Sequence, residues 1–267
     1  MDFSIKRAAN SIWYGTFAPL QTAGVKHGFA TRLGGVSPAP FASLNVGLRV
    51  GDDVSNAVAN RQALCQAVGV DFSRVVTTGQ VHGDQVAVVT AADTGRGLNL
   101  QGVAGADSLI TADPDVPLMI FYADCVPLLF FDPVRRVAGA CHAGWRGSAA
   151  GIAAKVLAAM NRHFGTAPAD CLVAIGPAIG PCCYEVDEPV IDAIQKSFPW
   201  WEETVVPHGT KWRLDLAQLN RRQLLDSGAQ DVNILLSHVC SSCNTPLFFS
   251  YRAEKQITGV QAAVISL

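Results

Sequence analysis

Charge is what this sequence has least of. Charged residues make up 16% of the 267 positions, well below the usual share of about a quarter. The 20 Lys and Arg nearly balance the 22 Asp and Glu, for a net charge of -2. A nucleic-acid binder needs a basic excess or stripe to displace counterions, and this balance excludes that class. Histidine is sparse too: the six present fall short of the roughly ten imidazoles a multicopper oxidase of the familiar type needs. No stretch comes near the ~20 uninterrupted apolar residues of a membrane helix. The longest, from Pro117, is broken by Asp124 and Pro127. The N-terminal segment MDFSIKRAANSIWYGTF has scattered charges and no apolar run of signal-peptide length. Internal repeats, low-complexity tracts and linkers are missing as well. What remains is a chain that is 49% hydrophobic, long enough to bury a substantial core and too apolar to stay disordered. The expectation is a soluble, cytoplasmic protein whose eight cysteines are mostly reduced, not paired in disulfides.

The pattern along the chain predicts α+β structure with a mixed sheet. Ala30 to Asp53 is rich in Gly, Pro, Ser and Asn and reads as an irregular loop too long to be a mere connector. Helical spacing follows over Asn56–Val68. Strands are expected at Val75–Gln80 and Gln85–Val89, flanking a turn at His82-Gly83-Asp84. Three short apolar runs, Leu118–Tyr122, Leu128–Phe131 and Val137–Cys141, favour buried strands. Ser148 to Phe164 predicts one helix, with Ser148 as its cap and Gly165 as its end. Leu172–Ile175 predicts another strand. Helices near Glu188–Phe198 and Leu216–Ser227 and strands at Val232–Ser237 and Gly259–Ile265 complete the reading, with elements interspersed irregularly.

Three segments place metal-competent side chains in apolar surroundings: GQVHGD around His82, YADCVP around Cys125 and CHAGWRG around His142. Each sits at a strand–turn junction beside Gly or Asp, and strand ends converging on one rim of a sheet can share a site. One such residue alone is ordinary, since a lone buried Cys is usually a small hydrophobe. Three at equivalent junctions suggest a common His/Cys/His centre.

QVHG, ADCVPLL, HAGWRG and AIGPAIGPCCYEV, in this order, resemble the signature of the multicopper polyphenol oxidase-like family. That family is also known as the laccase-domain or YfiH family of purine nucleoside phosphorylases. TRLGGVS, FASLNVGLRVGDD and CSSCNTPLFFSYR are similar to it too, so the resemblance runs from about Gly28 to the end. Tyr251 stands where a His is also common in relatives. The resemblance implies one domain over residues 1–267, layered α/β/β/α with mixed sheets. It implies that His82, Cys125 and His142 bind one zinc, with copper a possible substitute. A thiolate and two imidazoles suit Zn²⁺ and leave its fourth position open. Zinc would depress the pKa of a bound water toward ~7, which suits attack on C6 of adenine. Cys125 and His142 are thus the candidate catalytic residues, and Asp124 a candidate orienter or proton acceptor.

The implied activity is phosphorolysis of adenosine, inosine and methylthioadenosine to free base and ribose 1-phosphate, with adenosine deamination beside it. Arg32, Arg146 and Arg252 are the candidates for binding phosphate, because a guanidinium grips its oxygens bidentately. The expected partners are a small-molecule nucleoside and phosphate, with neither nucleic acid nor membrane, and a monomer is favoured. Three readings compete: a copper-dependent polyphenol oxidase, a zinc or thiol amidohydrolase editing a peptidoglycan precursor, and a binding scaffold with no activity.

Other residues read more plainly. Cys240 and Cys243 form a CxxC and Cys182–Cys183 a vicinal pair. A four-cysteine zinc site is the sharp reading. However, adjacent cysteines are poorly spaced around one metal, so loop-packing thiols are expected. GPAIGP lacks the GK[ST] of a phosphate loop and reads as a tight corner. His27, His163, His208 and His238 lack paired context and are expected to be structural.

Overall fold

The computed structural model describes residues 2–98 and 102–267. Its frame is two six-stranded mixed sheets packed face to face. The first runs in the order β1 (Phe3–Arg7), β2 (Trp13–Phe17), β3 (Lys26–Ala30), β15 (Gln261–Ser266), β7 (Leu118–Tyr122) and β4 (Val76–Thr77). The second runs β14 (Ile234–Leu236), β10 (Leu172–Ile175), β8 (Val126–Asp132), β9 (Val137–Ala143), β6 (Ala106–Thr111) and β5 (Gln85–Val88). A three-stranded sheet, β11 (Glu185–Val186), β13 (Lys211–Leu214) and β12 (Val205–His208), stands apart. Six helices are present among the described residues: α1 (Ala18–Thr22), α2 (Val54–Val68), α3 (Trp145–Ala149), α4 (Ile152–Phe164), α5 (Glu188–Ser197) and α6 (Leu216–Asp226).

Burial explains the layering. β6, β8 and β9 are buried along their whole length, so both faces of the second sheet must be covered. One face meets the first sheet through Phe17, Phe29, Ile120, Leu129, Phe131 and Ala140. The other packs against α4 and α6 through Val156, Met160, Val173 and Leu224. The outer face of the first sheet is covered by α2 through Leu64 and Cys65 against Met119 and Val264. The result is the expected α/β/β/α layering in an α+β fold.

Local signals explain most boundaries. Asp53 caps α2 by accepting from the Ser55 amide, and Gly69, at φ 81°, ends it. α2 also pins the long Gly/Pro loop. Its buried Asn60 donates to Ser37 Oγ and to the carbonyls of Ser43 and Asn45, and accepts from the Val36 amide. Thr31 to Asp53 carries no helix or strand, as the composition predicts.

The single helix expected over Ser148–Phe164 is instead two. Gly151 sits at φ 80° and breaks the chain between α3 and α4. Ser148 is no cap: it is buried inside α3, where its hydroxyl accepts from Asn220 of α6. The strand expected over Val75–Gln80 shortens to β4, because Gln80 turns to positive φ and spends its amide side chain on the Phe121 backbone. The N-terminal strands and the three-stranded sheet, which the hydrophobic pattern does not reveal, have mixed burial with no clean alternation.

Gly176, just after β10, lies between the sheets, where an added Cβ would fall inside the van der Waals envelope of the buried Phe29 ring. Gly176→Ala should therefore destabilise the fold by about 1–3 kcal/mol through overpacking. Urea unfolding at equilibrium checks this; an unchanged midpoint would mean that the two sheets part at no cost.

Candidate metal centre

The three residues at the strand–turn junctions meet at one rim of the second sheet. β7 belongs to the first sheet and β8 to the second, so the turn between them carries Cys125 across the gap. His142 is the penultimate residue of β9 and pairs in register with Pro127 of β8. His82 enters from the turn before β5. Its φ of 59° is left-handed, a conformation uncommon for a side chain larger than glycine and costly enough to need support. The ligand atoms of His82, Cys125 and His142 all lie within 4.8 Å of one another. The two imidazole rings stand edge to face, 5.0 Å between centroids.

The support comes from Asp107. β5 and β6 pair as Gln85 with Ala106 and Val86 with Ser108, so Asp107 is the extra residue of a bulge. A bulge re-aims a side chain away from the ladder. Here the carboxylate accepts from the backbone amides of Val81, His82 and Gly83 at 3.0, 3.1 and 2.9 Å. The same carboxylate meets Nδ1 of His142 at 2.9 Å. The pair is shut from solvent, with side-chain exposures of 0% for Asp107 and 2% for His142. One buried acid thus fixes the turn that carries His82 and the ring orientation of His142, leaving Nε2 of His142 as its free lone pair.

The electrostatics follow from this packing. Burial pushes the Cys125 thiol up, but the His142 and His82 imidazoles facing it prevail and hold it below the ordinary thiol range. Burial pulls His142 down, while Cys125 and Asp107 prevail and raise it. Burial raises Asp107, yet His142 and the Val81 and Gly83 amides hold it below the usual carboxylate range. A thiol ready to ionise beside two oriented imidazoles fits one zinc-type ion with a position left open. Exposure is graded across the cluster, from buried His142 through half-buried Cys125 to exposed His82, so the cluster opens to solvent on the His82 side.

The glycines of HAGWRG make room for this. A Cβ on Gly144 would stand 3.1 Å from His82 Cδ2 and 3.3 Å from Cys125 Sγ. One on Gly147 would lie 2.6 Å from the Gly83 carbonyl oxygen, where α3 meets the His82 turn.

The other candidate residues part ways. Asp124, at φ 82°, is a hub: its carboxylate accepts from Ser241 Oγ, Ser250 Oγ and the Arg252 amide at 2.6, 3.0 and 2.7 Å. Its carbonyl accepts from Ile179. Those bonds hold the C-terminal loop against the turn that carries Cys125. Arg32 is tied inward by Glu254 and by the carbonyls of Ala42 and Thr245, and lies over the Phe249 ring. Arg146 is exposed over Trp145, 4.3 Å from the ring centroid. Arg252 is exposed too, over Tyr184, with one N–H given to the Glu185 carbonyl. His27 is structural, as expected, its Nε2 accepting from the Phe17 amide.

Two residues escape the sequence reading. Asp107 sits in an otherwise ordinary buried strand, ADSLIT, and its one signal is an acid within an apolar run. Tyr184, in the CCYEV motif, has its phenol pushed up to about 12. Burial dominates that shift, with the charges of Cys125, Arg252, Asp124 and Arg146 all reaching it. No helix among the described residues is long and apolar enough to cross a membrane.

A family profile described as multi-copper polyphenol oxidoreductase laccase matches residues 26–267. Among curated relatives, purine nucleoside phosphorylase YlmD of Geobacillus stearothermophilus is 42% identical, over 91% of this chain and 90% of its own. A purine nucleoside phosphorylase of Deinococcus radiodurans is 38% identical, over 91% and 89%. Of solved structures, the hypothetical protein YfiH of Bacillus licheniformis superposes with a TM-score of 0.93 at 36% identity, covering 98% of both chains. YlmD of Geobacillus stearothermophilus gives 0.92 at 39%, covering 99% of this chain and 98% of that one. With motifs, fold and near-full-length relatives in agreement, the chain belongs to the multi-copper polyphenol oxidoreductase laccase family.

Proposed function

We propose that the chain is a zinc-dependent purine nucleoside phosphorylase, acting on adenosine, inosine and methylthioadenosine, and that the same centre deaminates adenosine. The observation that carries this reading is the three-donor cluster of His82, Cys125 and His142, oriented by a buried acid and open on one side. The names of the Geobacillus and Deinococcus relatives support the substrate class.

Zinc, when bound, supplies Lewis-acid polarisation at its open position. The protein's own groups do the rest. In phosphorolysis a phosphate oxygen bonds to the anomeric carbon of the sugar. The glycosidic bond breaks and its electron pair departs with the base. The phosphate needs cations and the leaving base needs a proton or a hydrogen-bond donor. Arg146 and Arg252 meet the first need: both are exposed, Arg146 closely following Gly144, which lines the cluster, and Arg252 giving its amide to Asp124 beside Cys125. Arg32 is occupied by Glu254, so the phosphate role falls to the other two. Tyr184 keeps its proton throughout the neutral range and offers an O–H donor. Asp124 acts as a positioning residue, because its carboxylate is already filled by three donors.

One geometric fact favours a second reading. Without metal, Cys125, His142 and Asp107 are ordered as a thiol, an imidazole and a buried acid, the layout of a thiol hydrolase. The oxidase reading gains less. Among the described residues the only other metal-competent cluster is four cysteines, which leaves no histidines for a second copper centre.

Inosine should release hypoxanthine only when phosphate is supplied, as followed by chromatography. A strong chelator should abolish that release and added zinc restore it, whereas turnover that survives the chelator would select the thiol hydrolase. Asp107→Asn should weaken zinc binding at this centre about 10–100-fold, measured by competition with a chromogenic chelator; an unchanged affinity would remove Asp107 from the design. Arg146→Ala should raise the KM for phosphate about tenfold or more, the scale of a lost charge-assisted hydrogen bond, with the KM for nucleoside little altered. If both constants stay put, phosphate binds elsewhere.

A further inference from the structure

The four cysteines expected to be separate packing thiols are gathered at one place. Cys182 and Cys183 follow the Gly180-Pro181 corner, while Cys240 and Cys243 lie on the loop after β14. All four sulfurs fall within 4.8 Å of one another. Cys243 Sγ lies 3.4 Å from Cys182 Sγ and 3.3 Å from Cys183 Sγ. Both sulfurs of the vicinal pair therefore reach one partner, which removes the spacing objection to adjacent cysteines.

These separations select among the chemistries open to four thiols. They far exceed a sulfur–sulfur bond of about 2.05 Å, so no pair is joined. They are close to the edge of a tetrahedron of thiolates at about 2.3 Å from one zinc, roughly 3.8 Å. An iron–sulfur cube binds each cysteine to a different iron and would need the sulfurs farther apart. The surroundings suit thiolates. The Gly180 amide donates to Cys240 Sγ at 3.2 Å, and Arg213 lies beside the pair, giving an N–H to the Cys182 carbonyl. Gly180 also leaves the space open, since a Cβ there would stand 3.3 Å from Cys240 Cβ and 3.4 Å from Cys182 Sγ.

We propose that Cys182, Cys183, Cys240 and Cys243 form a second, structural zinc site, closed by four protein ligands. It ties the corner after β10 to the C-terminal loop. Both segments end on Asp124: Ile179 donates to its carbonyl, and Ser241, lying within the CxxC, donates to its carboxylate. The second ion thus clamps the two strands of chain that hold the Cys125 turn in place, without touching the open centre itself.

Full-length protein purified without added metal should hold about two zinc ions per chain by elemental mass spectrometry, and folded Cys125→Ala about one. Replacing zinc by cobalt in Cys125→Ala should give intense sulfur-to-cobalt charge-transfer absorption and the visible bands of a tetrahedral tetrathiolate. In the wild-type chain, zinc should slow alkylation of these four cysteines at least tenfold, as mapped by peptide mass spectrometry. Cys240→Ser with Cys243→Ser should lose this ion and keep the one at His82. Should that variant fail to fold, the first three measurements use chains in which all four cysteines are intact. Folded Cys125→Ala devoid of zinc and silent with cobalt, or four cysteines alkylated equally fast with and without zinc, would overturn the proposal. None of these measurements reads turnover, so failure of the phosphorylase assignment leaves them interpretable.

Discussion

The candidate active centre rests on one buried carboxylate. Asp107 has no exposure, and it offsets the cost of its burial by accepting three backbone amides and facing an imidazole. An ionised acid in such a place is tolerable only when its lone pairs are filled, and filling them draws a turn from one side and a strand end from the other. The turn that carries His82 and the ring of His142 are thereby fixed relative to each other. Cys125 is set separately, by a turn that crosses between the sheets and is held from outside by the bonds to Asp124. The centre is preorganised from two directions.

That division accounts for what the sequence could reveal. His82, Cys125 and His142 announce themselves because polar ligands beside Gly or Asp interrupt apolar runs at strand ends. The strands Leu118–Tyr122 and Leu172–Ile175 match their expected bounds, since short apolar runs flanked by breakers have few alternatives. Asp107 is concealed because its role depends on a bulge, and a bulge is a property of the pairing between two strands rather than of either one. The same holds for the four cysteines. Their two pairs are about sixty residues apart in the chain, and it is the parallel pairing of β10 with β14, continued by the bridge between Ala178 and Cys240, that brings them together.

Local rules failed where tertiary packing overrode them. Ser148 has the chemistry of a helix cap, but α6 uses its hydroxyl as an acceptor, and the helix begins after the positive φ of Gly151 instead. Arg32 lies in a glycine-rich loop, the context that suggests a ligand-gripping arginine. Its partner Glu254 is 222 positions away, and nothing in the loop's own sequence reveals it. Of the three candidate arginines all lie over an aromatic ring, and the two without an acidic partner among the described residues, Arg146 and Arg252, are the ones left exposed.

The order of strands in the first sheet has a consequence for assembly. β15, the final strand, lies between β3 and β7, pairing with both. Until it docks, the N-terminal half-sheet and the pair β7–β4 share no ladder, and β7 leads directly into the turn that carries Cys125. Pairings of such long sequence separation form late, because the closure entropy of the intervening chain must be met first. The turn that brings Cys125 toward the two histidines is thus anchored through β7 to a strand far along the chain, so the segment around Cys125 does not set its own position.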